Sequence, residues 1–109
     1  MNDDRLYLEH IRDAIDKIAV YSAPGREEFL RNPMAQDAVM RNFEIIGEAA
    51  KRLSEAAKNR CPEIPWRRVT GFRDVLIHDY MGVDTAEVWN VIETHLPALR
   101  AAVERLPGA

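Results

Sequence analysis

Leu8, Ile11, Ile15 and Ile18 recur at intervals of three, four and three. This spacing lays one apolar stripe along a helix and predicts a first helix from about Asp3 to Tyr21. Asp3 and Asp4 suit the positive end of its dipole. Pro24 and Gly25 interrupt the pattern, and "REEFLR" has the length of one short helical turn. Asn32 followed by Pro33 reads as an N-cap and a first helical residue. From there Val39, Phe43, Ile46, Ala50, Leu53 and Ala57 alternate steps of four and three, predicting a second long helix to about Asn59. Ala49, Ala50, Ala56 and Ala57 are small enough for a neighbour to approach closely. Gly47 costs helix stability and therefore marks tight packing or a site. "CPEIPW" is a connector. A third helix begins near Pro65 with Val69, Phe72 and Leu76 inward, and "MGV" ends it. Asp84 and Glu87 have the spacing of a capping box. They open a fourth helix to about Leu106, with Val88, Ile92, Leu99, Val103 and Leu106 inward and a kink expected at Pro97. Strand-like alternation, internal repeats and low-complexity runs are absent from the sequence. The expected fold is all-α: an antiparallel four-helix bundle with a short extra helical turn between the first two long helices.

Length and composition narrow the class. A chain of 109 residues, 47% apolar and 30% charged, fits one domain, 1–109, small enough to gain from a partner subunit. Cys61 is the only cysteine. It excludes an internal disulfide and fits a cytoplasmic protein, with Cys61 itself read as a loop or buried structural thiol. No apolar run is long enough to cross a bilayer, so no membrane partner is expected. The net charge of −3 argues against simple coating of nucleic acid. Its distribution is uneven, however. Residues 1–50 carry six basic and ten acidic side chains, residues 51–73 seven against two, and residues 74–109 two against six. A local positive field of this kind attracts a polyanion even on an acidic protein. Clustering of cations at a helix C-terminus accounts for Lys58 and Arg60 well, but for Arg67, Arg68 and Arg73 poorly.

That positive segment leads into "GFRDVLIHDY", residues 71–80, the densest run of reactive side chains. Asp74 and His78 are one helical turn apart, so a carboxylate there can orient the imidazole. Arg73 lies about 140° around the helix from His78 and cannot share its stripe. The two can border one cleft if another surface closes over them. Tyr80, seven residues after Arg73, would be a mobile hydroxyl near both if the helix frays at Asp79. Arginine matches phosphate oxygens, and histidine exchanges a proton with a ribose hydroxyl near neutral pH. Together they can cleave RNA without a metal. No His, Cys and carboxylate grouping has zinc spacing, and no cofactor is implied. His10 reads as solvent-facing, and His95 as a capping or packing residue. A solvated helix face is the competing reading of the whole stretch.

Arg73, four residues, His78, one residue, Tyr80 reads as R-x4-H-x-Y. With "NFEIIGEAAKRLS", "PEIPWRRVTGFRDVLIHDYMGVD" and "VWNVIETHLPALRAAVERL" in this order, nearly the whole chain resembles the HepT-like toxins of the HEPN superfamily. The resemblance implies an all-helical homodimer in which Arg73 and His78 of two subunits form a composite endoribonuclease site. It further implies a type VII toxin–antitoxin system. There an MntA-like nucleotidyltransferase antitoxin transfers AMP to the motif tyrosine, here Tyr80. The sequence departs from the pattern at Asp74, where the superfamily often has Asn. A free carboxylate there would oppose phosphate, so Asp74 is expected to pair, with His78 as its partner. A helical module that chiefly binds a nucleotidyltransferase, and a purely structural dimer, remain as alternatives.

Overall fold

A computed structural model describes residues 3–106, and every regular element in that range is helical. Helix α1 spans Asp4–Ser22 and buries Leu8, Ile11, Ala14, Ile15 and Ile18, the expected stripe with Ala14 added. The "REEFLR" turn forms α2, Arg26–Arg31, entered through Gly25 at φ 101°, a left-handed value that favours glycine. Helix α3, Pro33–Arg52, starts where expected, with the Asn32 side chain accepting from the Ala35 amide at 3.1 Å.

The second long helix does not continue to Asn59. It stops at Arg52, and Ser54 caps a separate short helix α4, Glu55–Asn59, by accepting from the Ala57 amide at 3.1 Å. The break is held from outside. Asp4 accepts from the Ser54 amide at 2.8 Å and from its hydroxyl at 2.6 Å. A local heptad seam cannot reveal that tie, because its partners lie 50 residues apart. The seam residues Leu53 and Ala57 stay buried across the break, while Ala56 turns to solvent.

Helix α5 covers Trp66–His78, and a 3₁₀ turn covers Tyr80–Gly82. Asp84 then caps α6, Thr85–Thr94, through the Ala86 amide at 2.9 Å. Pro97 does not kink a continuous fourth helix; it divides it. Proline lacks an amide and clashes with the carbonyl four residues back, so α6 ends at Thr94 and α7, Leu96–Arg105, begins with the proline in its first turn.

The contacts fix an antiparallel arrangement. The start of α1 meets the end of α3 through Asp4 and Ser54. Gly47, late in α3, meets Val69 and Arg73 of α5, whereas Asp37, early in α3, meets Tyr80 beyond the end of α5. Helix α7 returns along α1, with Arg100 reaching Asp16 at 2.9 Å. The result is the expected helical bundle, with α3 at its centre between α1 and α5. Phe29, Ile46, Leu76, Val88 and Val103 lie in its core, and Phe43 meets Phe72 edge-on at 5.3 Å. Cys61 is buried, with its thiol 3.6 Å from the Ala102 carbonyl. None of the described helices is long and apolar enough to cross a membrane.

Candidate functional site

Gly47 sets the distance between α3 and α5. A Cβ there would lie 2.4 Å from the Arg73 Cβ and 3.2 Å from the Val69 carbonyl oxygen. Only glycine lets the two backbones come this close, and the root of the Arg73 side chain lies against α3 as a result. The guanidinium is then bracketed. One terminal nitrogen is 2.9 Å from Glu48 Oε2, and the other is 3.1 Å from Asp74 Oδ1. Glu48 is shared: its second oxygen accepts from Arg52 Nε at 3.0 Å. The Arg52 hydrogen bond, followed by the charges of Arg73, Arg52 and Lys51, holds the Glu48 carboxyl below its usual range, while partial burial opposes the shift.

This geometry corrects the expectation for Asp74. Its carboxylate turns to Arg73, the adjacent residue in sequence, and not to His78 one turn on. The charge-assisted bond to a guanidinium already locked by Glu48 outcompetes a solvent-exposed imidazole. His78 is the last residue of α5 and exposed, and its side chain makes no hydrogen bond or ion pair with the other described residues. Both of its ring nitrogens are open to a ligand.

Tyr80 also differs from expectation. The helix does end at Asp79, but the hydroxyl is not a mobile neighbour of Arg73 and His78. It donates to Asp37 on α3. That hydrogen bond, then burial, then the charges of Asp37 and Glu44, raise the phenol above its ordinary value. Sequence reading missed Glu48 and Asp37. The signal for Glu48 was its place next to Gly47. Asp37 had no local signal, being 43 residues from its partner.

A groove of about 590 Å³ runs between α1, α3 and α5 and is lined by Tyr7, His10, Arg41, Glu48, Arg52 and Arg73 among others. His10 is solvent-facing, as expected, and stands edge-on to Tyr7. A more apolar cavity of about 310 Å³ lies on the opposite flank of α5, lined by Phe43, Ile64, Phe72 and Leu99. His95 borders it from the α6–α7 junction, while Arg73 and His78 do not. Lys51, Lys58, Arg60, Arg67 and Arg68 form no ion pair among the described residues. Much of the positive charge of segment 51–73 is therefore unneutralised. Both flanks of α5 and the turn after it also expose apolar side chains: Val75 at 50% and Ile77 at 43%, on either side of the buried Leu76, and Met81 at 94%.

An arginine on the inner flank of a helix, a free histidine at its tip and a tyrosine in the next turn realise R-x4-H-x-Y in space. A family described as ribonuclease HepT-like matches residues 11–106. The chain belongs to that family. Among the HepT-like relatives, a protein named probable ribonuclease HepT in Thermococcus cleftensis is 42% identical over 101 residues, covering 92% of each chain. A protein from Caldanaerobacter subterraneus, named as a candidate RNase, is 35% identical over 97% of this chain and 96% of its own. A similarly named protein from Methanocaldococcus jannaschii is 36% identical over 94% of each. No solved structure matches the chain.

Proposed function

We propose that this HepT-like protein is a metal-independent endoribonuclease, the toxin of a type VII toxin–antitoxin pair, working as a homodimer. The observation that carries this reading is the placement of Arg73 and His78 on α5. They are divergent in angle and close along the helix, with the imidazole unpartnered. One copy offers half of a cleft. A second copy packed around the end of α5, where Val75 and Ile77 on its two flanks and Met81 beyond it are exposed, would supply the other half and bring each motif opposite its twin.

The chemistry follows from the residue types. One His78 takes the proton of a ribose 2′-hydroxyl, and the oxygen attacks the adjacent phosphorus. Arg73 stabilises the charge that develops on the phosphorane oxygens. The second His78, protonated, gives its proton to the departing 5′-oxygen. The products carry 2′,3′-cyclic phosphate and 5′-hydroxyl ends. An MntA-like nucleotidyltransferase neutralises the toxin by transferring AMP to Tyr80. The added phosphodiester brings negative charge to the site and repels RNA.

A second reading has its own support. Arg73 is already bracketed by Glu48 and Asp74, which weakens its hold on phosphate and favours a module that mainly binds the nucleotidyltransferase. Purified protein incubated with total RNA decides between them. The wild type should cleave in EDTA, and Arg73→Ala and His78→Ala should not. Cleavage restored only by Mg²⁺, or retained in His78→Ala, removes the proposed mechanism. A wild type that is labelled with AMP but leaves RNA intact supports the binding module.

A further inference from the structure

Cleavage gives Asp37 no role, yet Asp37 holds the one hydroxyl on which the proposed control depends. It lies in the second turn of α3, solvent-exposed, and its Oδ1 accepts from the Tyr80 hydroxyl. The turn that carries Tyr80 is itself well defined. The Gly82 amide donates to the Asp79 carbonyl at 3.0 Å, and the Asp79 carboxylate occupies the space where a Gly82 side chain would stand. The phenol's proton is directed at a carboxylate.

Several charged groups face it. Asp37 and Glu44 both act on the phenol from α3, with Glu44 in turn paired to Arg41 at 3.4 Å. His78 and Asp79 precede it on its own segment. A phenol is neutral at physiological pH, and the Asp37 hydrogen bond, burial and the charges of Asp37 and Glu44 raise it further. A neutral phenol is a weak nucleophile and needs a base at the moment of attack.

We propose that Asp37 is the general base of nucleotidyl transfer to Tyr80, supplied by the acceptor protein itself. The proposal rests on the reading of Tyr80 as the AMP acceptor. In the step, Tyr80 Oη attacks the α-phosphorus of a nucleoside triphosphate. The Oη–phosphorus bond forms, the bond from that phosphorus to the pyrophosphate oxygen breaks, and pyrophosphate leaves. The phenol proton passes to Asp37 Oδ1. No oxidant or reductant is involved. Asp37 touches the reacting oxygen and is in that sense catalytic for the modification.

The test uses the full chain, an MntA-like nucleotidyltransferase, ATP and mass spectrometry, with wild type, Asp37→Asn, Asp37→Glu and Tyr80→Phe compared from about pH 7 to about pH 10. Near neutral pH, Asp37→Asn should be labelled about 100-fold more slowly than wild type, with Asp37→Glu in between. The ratio of Asp37→Asn to wild type should then climb up to about tenfold per pH unit, because a phenolate needs no base. Equal rates near neutral pH overturn the proposal. So does a deficit that stays constant with pH, which would make Asp37 a docking residue only. An ultraviolet titration checks the geometry without the transferase. The phenol assigned by difference from Tyr80→Phe should ionise at lower pH in Asp37→Asn, and an unchanged value also overturns the proposal. AMP absent from wild-type Tyr80 removes the underlying reading and this inference with it. AMP on Tyr80 at equal rates in both proteins removes the inference alone.

Discussion

Replacing Gly47 with alanine tests the link between backbone packing and chemistry. The new Cβ would stand 2.4 Å from the Arg73 Cβ, whereas carbon atoms rest at about 3.5–4.0 Å. The clash is with atoms at the root of the side chain and, at 3.2 Å, with the Val69 carbonyl, so a change of rotamer cannot relieve it. Helices α3 and α5 must part locally by about 1–1.5 Å. Two effects on stability oppose each other. Alanine improves α3 by about 1 kcal/mol, and overpacking costs about 1–3 kcal/mol. Stability therefore changes by less than about 2 kcal/mol and is a poor diagnostic. Activity is the better one, since a misplacement of about 1 Å can cost about 100-fold in rate. Gly71→Ala is the control, because a Cβ there meets nothing within 4 Å. Cleavage of a defined RNA, followed as kcat/KM beside urea unfolding, should show Gly47→Ala about 100-fold impaired while still folded, with Gly71→Ala fully active. Equal activity of the two variants would refute the claim that Gly47 places Arg73.

Asp74→Asn removes one of the two carboxylates on Arg73 and should lower KM for RNA by up to about fivefold, the scale of a surface ion pair; a raised KM would show that Asp74 helps the site. Val75→Asp combined with Ile77→Asp should shift sedimentation toward monomer and abolish cleavage together; an active monomer would remove the composite site. Tyr80→Phe deletes the acceptor oxygen, so it should carry no AMP, and its cleavage should persist with the transferase and ATP present. Because Asp37 raises the phenol, the Tyr80 bond stabilises the fold at neutral pH, and this contribution is lost as pH rises through the raised value. The wild type should exceed Tyr80→Phe by about 0.5 kcal/mol near pH 7 and lose that margin above about pH 10 in urea titrations.

Local periodicity carried the fold a long way. The four apolar stripes, the Asn32 cap and the role of Gly47 as a close-approach point all depend on residues within a turn or two of each other. What it missed depends on register between distant segments. The seam through Leu53 and Ala57 is continuous, so nothing local marks the break at Ser54; Asp4 makes it from the far end of the bundle. Pro97 was legible, but not whether the chain would bend or part. At the site, Arg73, His78 and Tyr80 were legible as a motif, while their partners were not. The i, i+4 rule paired Asp74 with His78, but the rule says which groups can meet, not which competitor is stronger. A guanidinium already fixed by Glu48 is the stronger partner. Asp37 becomes visible only when α3 and α5 are laid antiparallel.

The two carboxylates on Arg73 are not equivalent, and the difference shows how a phosphate would gain access. Glu48 is the less exposed, at 38% against 63% for Asp74, and it is also held by Arg52. Displacing Glu48 would disrupt a three-membered network and the α3–α5 contact beside Gly47. Displacing Asp74 breaks a single exposed hydrogen bond, which in water is worth little. An incoming phosphodiester would therefore exchange with Asp74 and leave Glu48 as the fixed support that aims the guanidinium. The exchange of one anion for another is close to neutral in energy, so Arg73 alone gives little affinity. Affinity must come from neighbouring phosphates on the unpaired cations Arg60, Arg67 and Arg68. Binding should accordingly require a stretch of RNA and weaken steeply with salt. The rate of the chemical step, set by Arg73 and His78, should respond to salt far less.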